Sequence, residues 1–546
     1  MILGSLVANS NNFFKKNILK IIFMSQNFYV TSPIYYVNDV PHIGHAYTSI
    51  ACDVIARFKR LSEHNVFFLT GTDEHGQKVE KSALAKEKSP QQFCDEVSQK
   101  FRELSTTLNL SNDDFIRTTE SRHKNTVEKI WQIMLANGFI YKGSYQGWYA
   151  VRDEAFYSED ELIDGKAPTG AEVQWHSEES YFFRLSAFQE KLLALYEAVP
   201  DFIRPQSRYN EVVSFVKSGL KDLSISRTSF SWGIKVPDDE KHVIYVWLDA
   251  LTNYLSALDF ANASGKYQQF WVNGNNSPLH IVGKDIVRFH CVYWPAFLMA
   301  CNLNVPYQVF AHGWWTNDGQ KISKSLGNVI NPDIELQWLK SKLEDNNPDN
   351  KNYHEYSIIA IDYFRYFLMR EVAFGSDGDY SRINFINRIN SELANNIGNL
   401  VQRCLTMVVK NCDGEISGDY QNLKTNFQPF KNNYFQAFDN LQFDKALEAV
   451  IEFANLVNKN FNDQAPWNLK KENKIDLMRQ CLFETCQAIR LIAILLLPFI
   501  PSSAKKILDL IISQQQLTKI NDNFQELNNF RDFFKIKNPQ PIFPRL

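Results

Sequence analysis

The sequence predicts an α/β protein: an open parallel sheet, interrupted by a small inserted unit and followed by an α-helical bundle. Three observations predict it. Continuous apolar runs such as residues 66–70 alternate with helical spacing, as expected of parallel strands buried on both faces. Short aromatic alternations gather between residues 141 and 232, the pattern of small antiparallel strands. Beyond about Ile386 long helical patterns follow one another with almost no strand signal.

Taken in order, residues 28–32 read as a short strand, and Asn38-Asp39-Val40-Pro41 as a turn. From His42 to Leu61 the apolar positions Ile43, Ala46, Ile50, Val54, Ile55 and Phe58 follow helical spacing. The run at 66–70 ends in Gly71-Thr72-Asp73-Glu74-His75-Gly76, and a helix over 79–88 follows. The inserted stretch carries Tyr145-Gln146-Gly147-Trp148-Tyr149 and Tyr181-Phe182-Phe183-Arg184. The α/β character returns at residues 242–247, 279–283 and 307–311. In an open α/β sheet, ligands bind at the carboxyl ends of the strands. Residues 345–352, rich in Asn and Asp, read as a surface loop. The expected division is an extension over 1–27, an α/β domain in two halves over 28–140 and 233–330, and an insertion over 141–232. A linking region over 331–385 and a helical domain over 386–546 complete it.

Length and composition agree with this. The 546 residues suit about three or four domains. Hydrophobic residues are 45% and charged residues 22%, which excludes disorder as the dominant state. With 61 acids against 58 bases the chain is no general basic coat for nucleic acid, although a local basic path remains open. The eight cysteines include no C-x-x-C pair, so neither a disulfide framework nor a cysteine zinc finger is expected, and a reducing compartment is. The most apolar run, residues 491–497, is far short of the ~20 residues that span a bilayer and reads as a buried helix. Residues 1–23, with Lys15, Lys16 and Lys20, are either a targeting segment or an over-long gene start before Met24. No internal repeat or extended low-complexity segment is present.

Two constellations carry chemistry. Pro41-His42-Ile43-Gly44-His45 stands between the first strand and its helix, with two histidines three apart on nearly one face. A helix N-terminus offers unpaired N–H groups to phosphate, Gly44 leaves room at the backbone, and imidazole N–H groups can donate to developing charge. The plain alternative is a helix cap with incidental histidines. Far downstream, Lys321-Ile322-Ser323-Lys324-Ser325 follows the loop from Gly313 to Gln320. Its lysines are mobile point charges that suit a polyphosphate, or simply an exposed basic loop.

Together, in this order and on this kind of sheet, the two resemble the signature of the class I aminoacyl-tRNA synthetases. Tyr29-Val30-Thr31-Ser32-Pro33-Ile34-Tyr35-Tyr36-Val37-Asn38 and Gly71-Thr72-Asp73-Glu74-His75-Gly76 are similar to the methionyl-tRNA synthetases. So are Tyr245-Val246-Trp247-Leu248-Asp249-Ala250, residues 282–290 and Asp463-Gln464-Ala465-Pro466-Trp467. The resemblance runs from about Phe28 to the C-terminus. It implies a Rossmann-like parallel-sheet catalytic domain, a connective insertion and a helical anticodon-binding domain. The implied reaction joins methionine to ATP as methionyl-adenylate, then to the 3′ end of tRNA(Met), initiator tRNA included. Mg²⁺ is expected to accompany the ATP.

By motif position, His42, His45, Lys321 and Lys324 would serve the ATP phosphates, with Gly44, Ile322 and Asp285 also in the nucleotide site and Asp285 near the ribose. The carboxylate of methionine is itself the nucleophile, so positioning and charge stabilisation carry the rate. Ile34, Tyr36, Asp73, Trp247, Ala250, Tyr254, Ile286 and His290 would form the methionine pocket. A thioether favours aromatic walls, and as a weak acceptor it needs one or two donors; the Tyr254 hydroxyl and the Ile34 backbone N–H would face it. Asp73 would pair with the ammonium. The plain alternatives are a core tryptophan at 247, a helix cap at Asp73, and ordinary packing of Ile286 on His290. Asn399, Arg403 and Trp467 match the anticodon-reading positions, where a Trp face stacks on a base and Asn and Arg bond its edges.

Many relatives carry zinc knuckles in the insertion. Here the corresponding stretches read Trp148-Tyr149-Ala150-Val151-Arg152-Asp153 and Gly165-Lys166-Ala167-Pro168-Thr169-Gly170. Asp153, Glu154 and His176 are poor substitutes for thiolates, so no zinc and no other metal site is expected. Packing of Trp148, Tyr149 and Phe156 would hold the tip instead. Ile322 stands where methionine is usual, and Pro33 with Tyr35 is a variant of the zinc-free branch. The absence of an appended domain implies a monomer, and nothing implies a membrane, so a cytoplasmic protein is expected. Two rivals stand beside this reading. One is another class I synthetase, for which the spacing leaves no editing insertion and no thiolate pocket. The other is a decayed copy that binds tRNA without forming adenylate, against which the intact His42, His45, Lys321, Lys324, Asp73 and Trp247 argue.

Overall fold

Alternate residues of two central strands feed two separate cores, and this explains the unbroken apolar runs. In strand Asn27–Tyr36, Phe28 and Val30 pack on one side of the sheet and Tyr29 on the other; in strand Asn65–Asp73, Val66 and Phe68 oppose Phe67 and Leu69. The computed structural model describes residues 26–37, 40–153, 155–157, 159–322, 327–347, 353–511, 523–537 and 539–546. Among these, six strands form one parallel sheet. Edge to edge they are Asp114–Arg117, Asn65–Asp73, Asn27–Tyr36, Leu279–Gly283, Gln308–His312 and Ile203–Arg204. The expected parallel sheet is thus present, and its first strand runs four residues past Ser32, across a register shift between Thr31 and Ile34.

The first helix, Ile43–Leu61, lies on the face of Phe28 and Val30. His42 caps it, and Lys59 and Arg60 stand in its last turn, where they complement the helix dipole. The helix at Gln77–Leu84 is shorter than the expected 79–88. The turn residues Asn38 and Asp39, the extension over 1–23 and residues 323–326 lie outside the described residues.

The inserted stretch forms a four-stranded antiparallel sheet from Ile140–Ala150, Ala155–Tyr157, Gln174–Phe183 and Leu223–Ser224. Two features depart from expectation. Ile203–Arg204, inside that stretch, returns to close the edge of the parallel sheet. Residues 242–247 do not belong to the parallel sheet: Asp239–Ile244 pairs antiparallel with Lys235–Val236 and Ser226–Arg227, and Trp247 sits on the short helix Val246–Leu251. An apolar run of that length does not tell one buried strand from another, or from a helix.

At the tip of the insertion Trp148 meets Trp175 edge to face at 5.4 Å and Tyr149 is buried; the Phe156 side chain lies outside the described residues. Hydrogen bonds on Asp153 add to this packing. Its carboxylate accepts from Tyr157 at 3.1 Å, from Arg152 at 3.3 Å and from Thr169, above a small cluster of Ala150, Ala167 and Ala171. Glu154 lies outside the described residues.

After the sheet the chain is helical, in Asn399–Cys412, Gln421–Asp439, Phe443–Gln464, Ile475–Leu496 and Pro501–Ile511. The apolar run at 491–497 is buried within this bundle, as expected. Two short strands unforeseen in the sequence, Glu415–Ser417 and Phe533–Lys535, pair antiparallel. The expected loop at 345–352 starts later, because helix Pro332–Asn346 runs through Asp345; residues 348–352 lie outside the description. Among the described residues no helix is long and apolar enough to cross a membrane.

Sheet and bundle are joined by buried charge. Asp53, midway along the first helix, accepts from Arg57 and Arg365 at 2.7 Å each and from Ser111. The Arg365 guanidinium, itself fully buried, also donates to the carbonyls of Leu108, Pro498 and Phe499. Nearby, buried Asp362 accepts from the Ser503 N–H at 2.6 Å, and burial pushes its carboxyl up to about 6.

Two outcomes follow for stability. Arg365→Met leaves Asp53 buried with one partner fewer and lowers stability by about 3 kcal/mol in urea titration. A carboxyl whose pKa is raised by folding contributes stability below its unfolded value near 4, which is lost as pH rises through about 6. Asp362→Asn therefore gains on the wild type between pH 4 and pH 8, by about 2–3 kcal/mol, read from paired urea midpoints at the two pH values.

Candidate active site

The carboxyl ends of four parallel strands open into one cavity of about 580 Å³. Tyr36, Asp73, Gly283 and His312 stand at those ends and all line it. This is where an open α/β sheet leaves backbone ends and loops free to converge.

One wall is the start of the first helix. The His42 Nδ1 accepts the Gly44 N–H at 3.1 Å, and the His45 Nδ1 accepts the His42 N–H at 3.1 Å. Each Nδ1 is therefore an acceptor, so each ring carries its proton on Nε2. The rings lie 3.8 Å apart at 31°. Helix cap and cavity-lining pair, alternatives in the sequence, are the same arrangement here. A side chain at 44 would stand 3.0 Å from the His42 ring, so the ring folds back over position 44 only because it is glycine. Thr48, one turn on, bonds the Gly44 carbonyl and the His312 Nε2. Burial pulls the His312 imidazole below its usual pKa.

The opposite wall is aromatic. Trp247 stacks on Phe289 with centroids 3.4 Å apart, and Ala250 and Tyr254 follow on the next turns. Tyr254 and His290 are buried and joined by a 2.7 Å hydrogen bond between the hydroxyl and Nε2. The His290 Nδ1 lies 3.0 Å from the Ile286 carbonyl, and burial takes this ring down to about 4. The neutral ring thus donates from Nδ1 and accepts at Nε2, and the Tyr254 proton goes to His290. Tyr254 lines the cavity, where the sequence reading expects its hydroxyl to face a sulfur. Ile34 stands just past the register shift, at the point where the ladder is interrupted.

Between the walls lie Asp73, which is buried, and Asp285, whose Oδ1 accepts the Trp314 indole N–H at 3.1 Å. A Cβ on Gly283 would come within 2.6 Å of that same oxygen. Ile286 and Ile322 complete the predicted set. The structure thus brings together Ile34, Tyr36, His42, Gly44, His45, Asp73, Trp247, Ala250, Tyr254, Asp285, Ile286, His290 and Ile322 in one cavity. Lys321 pairs by its backbone with Thr316; its side chain and all of Lys324 lie outside the description.

Sequence reading missed Thr48, Lys78, Asp153, Asn253, His312 and Trp314, which also line the cavity. The strand end at His312 was the available signal for two of these. Asp153 had none, because it arrives from the tip of the insertion. The second predicted group is also assembled, away from the cavity, on the helical side. The Arg403 guanidinium lies 5.1 Å from the Trp467 ring and 5.2 Å from that of Phe461, and bonds Asn462 at 3.0 Å. Asn399 is exposed one turn before Arg403. Among the described residues no group of three or more His, Cys, Asp or Glu converges as a metal site.

With this geometry in place, comparison with known proteins is informative. The family described as tRNA synthetases class I (M) matches residues 28–174 and 169–405, and the anticodon binding domain of methionyl tRNA ligase matches 412–546. A methionine–tRNA ligase of Rickettsia conorii is 54% identical over 96% of this chain and 100% of its own. One from Brucella melitensis is 46% identical over 95% of this chain and 98% of its own. The crystal structure of Mycobacterium tuberculosis methionyl-tRNA synthetase in complex with methionyl-adenylate superposes with a TM-score of 0.86, at 43% identity, over 95% of this chain and all of that one.

The glycine at the helix start gives a direct test. Gly44→Ala forces the His42 ring off its backbone donor, and ATP binding, followed by calorimetric titration, weakens about tenfold while the melting temperature moves by less than a few degrees.

Proposed function

The chain belongs to the methionine-specific class I tRNA synthetases, and on that premise we propose how its side chains divide the work. It is a methionine–tRNA ligase: it activates methionine with ATP and passes the methionyl group to tRNA, releasing pyrophosphate and then AMP. The observation that carries the assignment of roles is a single cavity with imidazole N–H groups on one wall, stacked aromatics on the other and two carboxylates between.

In the proposed arrangement methionine lies against Trp247, Ala250, Ile286 and the Tyr254–His290 pair, with Ile34 and Tyr36 closing the pocket. A neutral, apolar wall accepts a thioether and rejects charged or strongly hydrated side chains. Asp73 pairs with the ammonium and so aims the carboxylate at the nucleotide. ATP lies along the helix start. The Nε2–H groups of His42 and His45 donate to the phosphate oxygens, reinforced by the helix N-terminus. Asp285, oriented by Trp314, takes the ribose. Lys321 and Lys324 bring positive charge to the leaving pyrophosphate, and the partly buried Ile322 packs against the core.

A carboxylate oxygen of methionine attacks the α-phosphorus, the bond to the β-phosphate oxygen breaks, and pyrophosphate leaves. A ribose hydroxyl at the tRNA 3′ end then attacks the carbonyl carbon, and AMP leaves. No protein nucleophile enters either step, so alignment and charge stabilisation account for the rate. Mg²⁺ fits as a partner of the triphosphate, held by its oxygens and water, since the helix-start wall offers N–H donors rather than carboxylates.

Asn399, Arg403 and Trp467 are proposed to read the anticodon, the Trp467 face already carrying the Arg403 guanidinium as a lid a base would share. The finer parts of the proposal are a monomer that serves initiator tRNA as well, works in the cytoplasm and carries no resident zinc. They extend to a division into an extension (1–27), catalytic halves (28–140, 233–330), insertion (141–232), linker (331–385) and helical domain (386–546).

Pyrophosphate exchange into ATP without tRNA tests the activation step. Exchange with methionine and not with isoleucine, leucine, valine or cysteine is expected; no exchange from folded protein would overturn the reading. Trp467→Ala leaves exchange within twofold and raises the KM for tRNA at least tenfold in aminoacylation.

A further inference from the structure

We propose that Asp249, bridging His75 and His123, is a positioning residue that holds the two halves of the amino-acid pocket in register. The proposal rests on the functional reading above. Asp249 touches no part of the cavity. Its Oδ2 lies 2.7 Å from the His75 Nδ1 and its Oδ1 2.7 Å from the His123 Nε2, and all three side chains are at most 3% exposed. Burial pushes the Asp249 carboxyl up, and the two histidines more than offset this, bringing it down to about 2. The carboxylate is therefore ionised at neutral pH, and each ring must present an N–H to it: His75 from Nδ1, His123 from Nε2.

The three residues come from three distant places. His75 follows strand Asn65–Asp73, two residues after the carboxylate assigned to the substrate ammonium. Asp249 lies on helix Val246–Leu251, two residues after Trp247 and next to Ala250. His123 lies on helix Ser121–Ala136, behind both, and its Nδ1 meets the Ser256 hydroxyl at 3.0 Å. Helix Val246–Leu251 has six residues and no side-chain cap, so its orientation is set by what it packs against. The strand exit, by contrast, is anchored: fully buried Glu74 accepts from Arg117, Thr72 and Thr119. The triad transmits that anchorage to the helix. It sets the spacing between the group that takes the ammonium and the wall that takes the side chain, and that spacing is what discriminates one amino acid from another.

The experiment is methionine-dependent pyrophosphate exchange on variants of the full chain. Asp249→Asn can accept only one of the two N–H groups. It should raise the KM for methionine at least tenfold, leave the KM for ATP within twofold, and lower the preference for methionine over leucine. A folded Asp249→Asn with an unchanged methionine KM, or with both KM values rising together, overturns the proposal. Should that variant fail to fold, the histidines decide. An Asn amide reproduces the position of Nδ1–H and a Gln amide that of Nε2–H. His75→Asn and His123→Gln should therefore keep the methionine KM, and His75→Gln and His123→Asn should raise it. Four alike would overturn the proposal. Absence of exchange in the wild type would instead sink the functional reading, and this inference with it.

Discussion

The buried pair of Asp53 and Arg365 is the constraint on which the rest of the structure hangs. Helix Ile43–Leu61 is capped by His42, holds His45 in its first turn and Asp53 at its middle, and reaches the helical side through Arg365. A carboxylate taken out of water must be paired. Here Arg57 and Arg365 bring its pKa down to about 2 against the upward push of burial. Arg365 in turn spends its remaining donors on carbonyls of Leu108, Pro498 and Phe499, which fixes the last turns of the bundle against the sheet. Below the pair, Phe58 stacks on Phe438 of the bundle at 3.9 Å and 9°.

Within the site, the chemistry follows from where protons are held. Backbone N–H groups occupy Nδ1 of each helix-start histidine, which places each ring's proton on Nε2. On the amino-acid side, burial and the Ile286 carbonyl leave His290 neutral and make it the acceptor of the Tyr254 proton. The cavity is thus polar and donating at one end and neutral and aromatic at the other.

At the loop tip of the insertion the Asp153 carboxylate collects three donors, from Arg152, Tyr157 and Thr169. The same Asp153 lines the catalytic cavity, so the tip that it organises is also a boundary of the site.

Fold class, sheet direction and about half of the cavity lining were legible in the sequence. For the fold the reason is local: a continuous apolar run, a helix start with two histidines and a strand end rich in Gly, Thr and Asp each carry their geometry with them. The aromatic wall and Asp285 were legible only through the resemblance of their motifs to a known family. The bundle was legible from period alone, because a helix buries a stripe wherever it lies. What the sequence did not determine was every relation between distant segments. Residues 242–247 have the same apolar character whether they join the parallel sheet or pair antiparallel beside it. Ile203–Arg204 is too short to announce that it closes the sheet edge. The Tyr254 proton goes to His290 only because a carbonyl four residues earlier claims the other nitrogen. Asp249, an unremarked residue between Trp247 and Ala250, becomes the meeting point of two histidines. Periodicity is a property of neighbours along the chain, so sequence determines elements and their faces. Pairing, proton direction and charge burial depend on what arrives from elsewhere, and only the tertiary structure decides them.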